Sequence, residues 1–92
     1  MSNSFRIAET QTYQKKVSKS AYQRYYIQAR ERLYPQLRED PFSGPSIKRL
    51  KGDLSGIYRY RIGDYRLFYT IDVEKKIVYM LDLENRKDAY RK

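Results

Sequence analysis

The segment Ile57–Ile71 constrains the fold of this chain most, because polar and apolar residues alternate on both sides of a tight turn at Gly63–Asp64. Such alternation predicts an antiparallel hairpin with strands of about residues 56–62 and 65–72. One face of the hairpin is apolar and aromatic: Tyr58, Tyr60, Ile62, Leu67, Tyr69 and Ile71. The opposite face carries Arg59, Arg61 and Arg66 with Phe68 and Thr70. If the apolar set covers a core, the three guanidinium groups converge on the other surface, where such groups bind phosphate oxygens in pairs.

The net charge of the chain points to an anionic partner. Its 92 residues, enough for one domain spanning residues 1–92, contain 20 Lys and Arg against 11 Asp and Glu, which gives +9. The excess is +4 over residues 1–47 and +5 over residues 48–92, so no basic tail accounts for it. A basic face of the fold is therefore expected, suited to nucleic acid, an anionic membrane or an acidic protein. A basic surface that only keeps the protein in solution is the alternative.

The absence of cysteine and histidine from the sequence excludes several kinds of chemistry. No disulfide or thiolate chemistry is available, and neither is the usual general acid–base residue or the commonest metal ligand. Any catalysis must use Arg, Lys, Tyr, Asp, Glu or the backbone, and we expect no metal site and no cofactor. No apolar run approaches the roughly 20 residues of a membrane span, and no signal-peptide pattern opens the chain. We therefore expect a cytoplasmic protein without a membrane partner.

Before the hairpin, the sequence predicts a short strand, about Ser4–Ala8, and a short helix. Thr10 or Thr12 is suited to cap this helix, which runs to about Val17.

A second, longer helix follows, for which Ser20 and Gln23 form a predicted capping box. Its apolar residues recur at helical spacing: Tyr22, Tyr26, Ala29, Leu33 and Leu37. Pro35 lies inside this pattern and is expected to kink or divide the helix, because it lacks a backbone donor.

After the helices come a predicted strand at Ile47–Lys51, a turn at Gly52–Gly56, the hairpin, and a last strand at Lys76–Leu83. Ile77, Tyr79, Leu81 and Leu83 are expected to share one face of that last strand. The order of elements predicts an α+β fold, with two helices on one face of a mostly antiparallel sheet of four to five strands. The other face of the sheet stays open to a ligand.

The sequence resembles the RelE/ParE toxin superfamily of type II toxin–antitoxin systems. The likeness covers nearly the whole chain and rests on the order of elements and on four stretches: Asp40–Phe42, Ile47–Gly52, Gly56–Tyr69 and Asn85–Tyr90. The resemblance implies a RelE-like microbial ribonuclease-type fold. RelE-like members are endoribonucleases that cut mRNA in the ribosomal A site, and ParE-like members poison DNA gyrase. Both kinds are held inactive by a cognate antitoxin.

The resemblance also implies roles for individual residues. Arg59, Arg61, Arg66, Arg86 and Tyr90 match catalytic positions: the arginines would contact the scissile phosphate or support the transition state, and Tyr90 would position the substrate. A basic set would follow the RNA backbone: Lys48, Arg49, Lys51 and Lys87. The implied partners are a cognate antitoxin, mRNA on the ribosome with contacts to 16S rRNA, and operator DNA through the antitoxin alone.

The chain departs from the family pattern at the acid–base groups. Many relatives have Gly-His where this chain has Glu84 and Asn85, and the Glu/His pair of some relatives has no match. Arg59 and Arg61 stand where lysines are common, and an arginine does not release a proton at accessible pH. The resemblance therefore implies strong electrostatic catalysis and leaves the general base unidentified.

Other interpretations of the same residues remain open. Arg59 and Arg61 can form a strand face that binds an acidic antitoxin, and Arg66 can pair with Asp82 or Asp64. In the C-terminal segment, Arg86 can be solvated and Tyr90 can anchor the chain. At the level of function, the alternatives are a gyrase inhibitor and an inactive member that only binds antitoxin and operator DNA.

Overall fold

In the computed structural model, residues 4–85 are described, and they form a mixed five-stranded sheet with helices on one face. The elements in chain order are β1 (Arg6–Glu9), α1 (Gln11–Val17), α2 (Ser20–Gln28), a π-helical turn (Ala29–Leu33), α3 (Tyr34–Glu39), β2 (Ile47–Arg49), a 3-10 turn (Gly52–Leu54), β3 (Ile57–Ile62), β4 (Tyr65–Asp72) and β5 (Ile77–Asn85). Among these elements, no helix is long and apolar enough to cross a membrane.

The sheet confirms the predicted α+β class. Its strand order is β1-β5-β4-β3-β2, with β1 parallel to β5 and every other pair antiparallel. The first strand covers residues 6–9 rather than the expected 4–8. Phe5 donates its N–H to the Arg38 carbonyl at 2.7 Å, so the backbone contacts the helical segment before the strand ladder begins.

The core lies between the helices and one face of the sheet. Fully buried side chains come from the central strands and from the helices: Leu67, Tyr69, Val78, Met80, Leu83, Tyr13 and Leu37. The register places Leu67 opposite Leu83 and Tyr69 opposite Met80, so these strand residues share the helix-facing side. We call the opposite side of the sheet the outer face. The predicted apolar face of the hairpin is confirmed, since Tyr58, Leu67 and Tyr69 are all buried.

Of the two predicted helix N-caps, the one at Thr10 is confirmed and the one at Ser20 is wrong. Thr10 caps α1, accepting the Tyr13 N–H at 3.2 Å. The capping box at Ser20 is not formed, because Ser20 is already the first residue of α2 and Lys19 occupies the cap position without a side-chain bond. Only two residues separate α1 from α2, and the Tyr22 N–H bonds to the Lys19 carbonyl at 2.9 Å, so the helix begins earlier than the capping box predicts.

The predicted second helix is divided near Pro35, as expected, and the division takes the form of a widened helical turn. The segment Ala29–Leu33 is π-helical, and the Tyr34 N–H bonds to the Ala29 carbonyl, five residues back. A proline has no N–H for the carbonyl four residues earlier, and its ring collides with that carbonyl in a regular helix. The wider π turn relieves this conflict, and Pro35 then lies in the first turn of α3, where proline is tolerated.

The predicted face of the last strand is wrong. Val78, Met80 and Leu83 are the buried residues of β5, whereas Ile77, Tyr79 and Leu81 are only partly buried. The register explains the difference: Phe68 pairs with Asp82 and Tyr69 with Met80, so Leu81 is an extra residue, as in a β-bulge. Alternation therefore changes phase within the strand, which extends to Asn85.

A hydrogen-bonded tyrosine cluster joins the helices to β1. Tyr26 and Tyr34 both lie within hydrogen-bond distance of the Glu9 carboxylate, at 2.9 and 2.8 Å, and the hydroxyls of Tyr34 and Tyr13 are 2.8 Å apart. A phenol has one proton and a carboxylate only accepts, so Tyr34 donates to Glu9 and accepts from Tyr13. Burial is the main cause that raises the pKa of both Tyr13 and Tyr34.

We expect the protein to lose stability in alkali because of these phenols. Burial also raises the pKa of Tyr69, and a raised native pKa leaves stability intact below the unfolded value of about 10 and lowers it as pH rises beyond. Urea unfolding at a series of pH values from about 8 to 11 should show a falling free energy of unfolding above pH 10. Tyr34→Phe should make that fall shallower, and a constant stability across the range would contradict the prediction.

Candidate functional site

A groove rich in cationic side chains lies at the edge of the sheet where β2 pairs with β3. Its volume is about 330 Å³, and its lining is Pro45, Ser46, Ile47, Lys48, Arg59 and Arg61. We call it the cationic groove. Its walls come from the loop before β2, from β2 and from β3, whose arginines alternate with the buried Tyr58 and the half-buried Tyr60. The groove therefore contains two of the predicted catalytic residues and one predicted RNA-binding residue.

Cations face each other directly across neighbouring strands in this region. Lys48 lies opposite Arg59, and Arg61 lies opposite Arg66. Side chains opposite each other in an antiparallel pair have Cβ atoms about 4.5–5.5 Å apart, and like charges at that distance destabilise the sheet. We call Lys48, Arg59, Arg61 and Arg66 the cationic cluster. An anion bound between these groups would remove their mutual repulsion.

The core side of the hairpin holds the arginine strands in place. The Tyr58 ring stacks on the Tyr69 ring with centroids 5.5 Å apart and planes at 12°. The Tyr69 hydroxyl donates to the Pro41 carbonyl at 2.8 Å, and the Tyr60 hydroxyl donates to the Gln36 side chain. Burial raises the pKa of Tyr60, which therefore stays a neutral donor. These contacts fix the backbone that carries Arg59 and Arg61.

The other predicted site residues lie in different places. Arg49 pairs with Tyr58, so it projects from the opposite side of the short edge strand to Lys48. Lys51 is exposed at the start of the 3-10 turn, beyond the end of β2. Arg86, Lys87 and Tyr90 lie outside the described residues. The structure thus brings together Lys48, Arg59, Arg61 and Arg66, and separates Arg49 from them.

Asp82 forms an ion pair that the sequence did not indicate. Its carboxylate lies 2.9 Å from Lys16 Nζ, which also donates to the Leu83 carbonyl at 3.3 Å. Partial burial lowers the pKa of Lys16, but the hydrogen bond to Asp82 and its charge outweigh this and raise it overall. Asp82 is therefore engaged by α1, which argues against its proposed pairing with Arg66.

The outer face also carries an apolar cleft that sequence reasoning missed. Its volume is about 330 Å³, and its lining is Leu50, Leu54, Ile57, Phe68, Leu81, Asp82 and Glu84. We call it the apolar cleft. The sequence signal was Phe68, an aromatic residue on the arginine face of the hairpin, but the walls from β5 depend on the bulge at Leu81.

The chemistry of the cationic cluster is electrostatic. Arginine stays protonated at all accessible pH values and presents five donors, so the three arginines of the cluster can bind and stabilise an anion but cannot abstract a proton. Between residues 4 and 85, no group of three or more Asp and Glu side chains is arranged to hold a metal ion. The arrangement suits a phosphate chain on which negative charge increases during reaction.

Fold and surface together define a small, basic α+β protein with its helices on one side of the sheet and a cationic groove on the other. The family model for the ParE toxin of type II toxin-antitoxin system, parDE, matches residues 7–90. The chain belongs to this family, which confirms the expected membership of the RelE/ParE toxin superfamily.

Solved structures show the same fold. A chain of the toxin-antitoxin complex RelBE2 from Mycobacterium tuberculosis is similar with a TM-score of 0.77 and 28% identity, over 90% of this chain and 99% of that one. The archaeal RelE-RelB complex from Pyrococcus horikoshii gives a TM-score of 0.58 and 25% identity, over 90% and 96%. Toxin RelG of Mycobacterium tuberculosis is 42% identical over 45 residues, which are 49% of this chain and 52% of RelG. That match thus spans about half the length of the relative.

Proposed function

We propose that this protein is a ribosome-dependent endoribonuclease that cuts mRNA in the A site and so inhibits translation and growth. The observation that carries the proposal is the direct opposition of Lys48 to Arg59 and of Arg61 to Arg66 on adjacent strands. Glu84 lies opposite Arg66 on β5 and offsets part of this repulsion in the free protein. An RNA phosphate placed between the cationic groups would be stabilised by all four of them.

The reaction is attack of a ribose 2′-oxygen on the neighbouring phosphorus. A P–O2′ bond forms and the P–O5′ bond breaks, which leaves a 2′,3′-cyclic phosphate and a 5′-hydroxyl. The 2′-hydroxyl proton passes to water, and the leaving 5′-oxygen takes a proton from water. Arg59, Arg61 and Arg66 stabilise the charge on the phosphoryl oxygens, and Arg86 and Tyr90 are proposed to support the leaving group and the substrate base. Alignment of the attacking oxygen on the ribosome supplies much of the remainder, since positioning is worth roughly 7–11 kcal/mol in favourable systems.

The proposed neutralising partner is a cognate antitoxin. RelBE2 and the Pyrococcus horikoshii RelE-RelB pair were solved as complexes, and this chain has the same fold. An antitoxin segment with acidic residues fits the cationic cluster, and the net charge of +9 would accelerate the encounter. Operator DNA is expected to be reached through the antitoxin, in the cytoplasm, with 16S rRNA contacts made only on the ribosome.

Inhibition of DNA gyrase is the second candidate, favoured by the family description as a ParE toxin. It needs a protein-binding surface and no phosphate chemistry. The two functions differ in their cellular effect, because a gyrase inhibitor causes DNA damage and filamentation while mRNA stays intact.

Arg66→Ala tests the nuclease directly. We expect the wild type, induced from a tight promoter, to arrest growth and to generate codon-phased mRNA 5′ ends. The variant should reduce cleavage by roughly 100- to 1000-fold, the usual cost of losing one donor to a charged transition state. Mapping of mRNA 5′ ends during arrest measures both effects.

Arg24→Ala is the matched control, because Arg24 is an exposed arginine on α2, remote from the outer face. It removes the same charge and should leave the cleavage pattern unchanged. A cooperative urea unfolding transition of Arg66→Ala, close to that of the wild type, shows that the variant is folded. Arrest with intact mRNA would reject the nuclease and favour gyrase, and the absence of arrest would indicate an inactive member.

A further inference from the structure

We propose that the apolar cleft binds one nucleobase of the RNA whose phosphate lies in the cationic groove. The inference rests on the proposed function, because the nucleotide concerned is the one that the arginines hold. It adds a base-recognition site on the outer face, formed mainly by Phe68, Leu81 and Glu84. Sequence preference would then depend on this chain as well as on the ribosome.

The groove and the cleft adjoin along two paired strands. Ile57 and Arg59 lie two residues apart on the same face of β3, and Leu50 follows Lys48 by two residues, directly after the end of β2. The Leu50 N–H bonds to the Ile57 carbonyl at 2.9 Å, so the backbones of the two segments stay in contact one residue beyond the end of β2, at the cleft. Two residues along a strand span about 7 Å, a length on the scale of one nucleotide. A phosphate at Arg59 therefore places its base within reach of the cleft.

The lining suits a flat aromatic ring. Phe68 lies directly opposite Arg59 in register and is half-buried on the outer face. A base can stack on this ring while the aliphatic walls contact its edges: Leu50, Leu54, Ile57 and Leu81. The volume of about 330 Å³ is at the lower end for ligand sites, which fits a single base. Leu54 is 51% exposed, so burying it under a base removes apolar surface from water.

The carboxylates at the β5 wall decide which part of a nucleotide enters. Asp82 and Glu84 repel phosphate and only accept hydrogen bonds, so they favour a base edge that carries N–H donors. Asp82 Oδ1 already binds Lys16 and the Leu83 N–H, whereas Glu84 lies opposite Arg66 at the border with the cationic cluster. Guanine presents two adjacent donor groups to a carboxylate, and uracil presents one N–H between two carbonyls. We expect guanine to bind best and uracil worst.

Methyl NMR of the full chain tests the site without any cleavage assay. The protein is prepared by cell-free synthesis with labelled leucine and isoleucine methyls and titrated with 5′-GMP or 5′-UMP. GMP should shift the methyl signals of Leu50, Leu54, Ile57 and Leu81, and leave Ile27, exposed on α2, unchanged. Saturation with GMP should need roughly tenfold less ligand than with UMP, as expected for a two-point hydrogen-bond contact to the base.

Two variants separate the parts of the site. Glu84→Gln should bring the affinities for GMP and UMP close together, and Phe68→Leu should weaken both nucleotides by a similar factor. Equal binding of the two nucleotides by the wild type, or cleft methyls that respond to neither, would overturn the proposal. Signals that move only in the complex with the cognate antitoxin would overturn it too, and would assign the cleft to a protein partner.

The same variants distinguish this inference from the proposed function. Cleavage sites of Glu84→Gln are mapped beside those of the wild type, and we expect a relaxed base preference at one position. If Glu84→Gln cuts mRNA as efficiently as the wild type and with the same base preference, the nuclease proposal is retained and the base-site proposal is rejected. If the wild-type chain binds GMP selectively but cuts no mRNA, the base-site proposal is retained and the nuclease proposal is rejected.

Discussion

Arg61→Gln is expected to remove nearly all cleavage and, in the same molecule, to make the fold more stable. Arg61 is exposed and lies directly opposite Arg66, with Arg59 two residues away on the same face of β3. In the proposed reaction Arg61 would supply a fixed positive charge beside the phosphate, and loss of one such group typically lowers a rate by roughly 100- to 1000-fold. Glutamine keeps much of the length and polarity of the side chain, so the loss reflects charge.

The stabilising half of this prediction follows from the register. Like charges directly opposite each other destabilise an antiparallel pair, and cross-strand pairs act on a scale of roughly 0.2–1 kcal/mol. Removing the charge of Arg61 should therefore raise the free energy of unfolding by a similar amount, and the gain should shrink at high salt. Single-turnover cleavage of ribosome-bound mRNA and urea unfolding at two salt concentrations measure the two effects.

The matched control is Arg24→Gln, which makes the same chemical change on an exposed helix position. It should leave the cleavage rate unchanged, and it should alter the unfolding free energy by no more than about 0.5 kcal/mol. A stable Arg61→Gln protein that still cuts at the wild-type rate would exclude Arg61 from the site. A variant less stable than the wild type would show that the arginine forms favourable contacts that outweigh the repulsion.

The hairpin was predictable because its information is local. A short turn at Gly63–Asp64 fixes the pairing of β3 with β4, and strict alternation then assigns every side chain to a face. Arg61 and Arg66 were brought together by this reasoning alone. The α+β class followed in the same way, from helical spacing before the hairpin and strand spacing within and after it.

The features that could not be predicted depend on contacts distant in sequence. The bulge at Leu81 arises where β5 pairs with β4, and no residue near Leu81 marks it. The run Lys76–Leu83 is apolar on both faces, so alternation alone could not choose between Val78 and Tyr79 as core residues. The phase was therefore assigned wrongly until the register was known.

The apolar cleft was missed for the same reason. Its walls come from the segment after β2, the 3-10 turn, β3, β4 and β5 together, and the position of Glu84 relative to Arg66 depends on the bulge. The ion pair of Lys16 with Asp82 joins α1 to β5 across most of the chain. The resemblance to the toxin family identified the cationic residues as candidate site residues, because they lie in contiguous motifs. It gave no information on surfaces that are assembled from separate strands.

Leu67→Ala is expected to have the largest effect on stability, because Leu67 is fully buried in the central strand β4. It lies between Tyr60 on β3 and Leu83 on β5, so neither neighbouring strand can move in to fill the space. Such truncations cost roughly 2–5 kcal/mol, from lost burial and from the cavity left behind. A domain of this size has only about 5–14 kcal/mol to lose, so a large share of its stability depends on one side chain.

Urea unfolding measures the loss of unfolding free energy in Leu67→Ala and in Leu54→Ala. Because both variants make the same truncation, the difference between the two losses reports the effect of burial. Leu54 is 51% exposed, so the same truncation there should cost less than about 0.5 kcal/mol. A similar loss for both variants would mean that the outer face is covered as completely as the core. The expected difference would show instead that the helices stabilise the sheet from one side, and that the outer face contributes little to folding. A surface that folding does not require to be buried can carry opposed arginines, whose repulsion a bound anion would relieve.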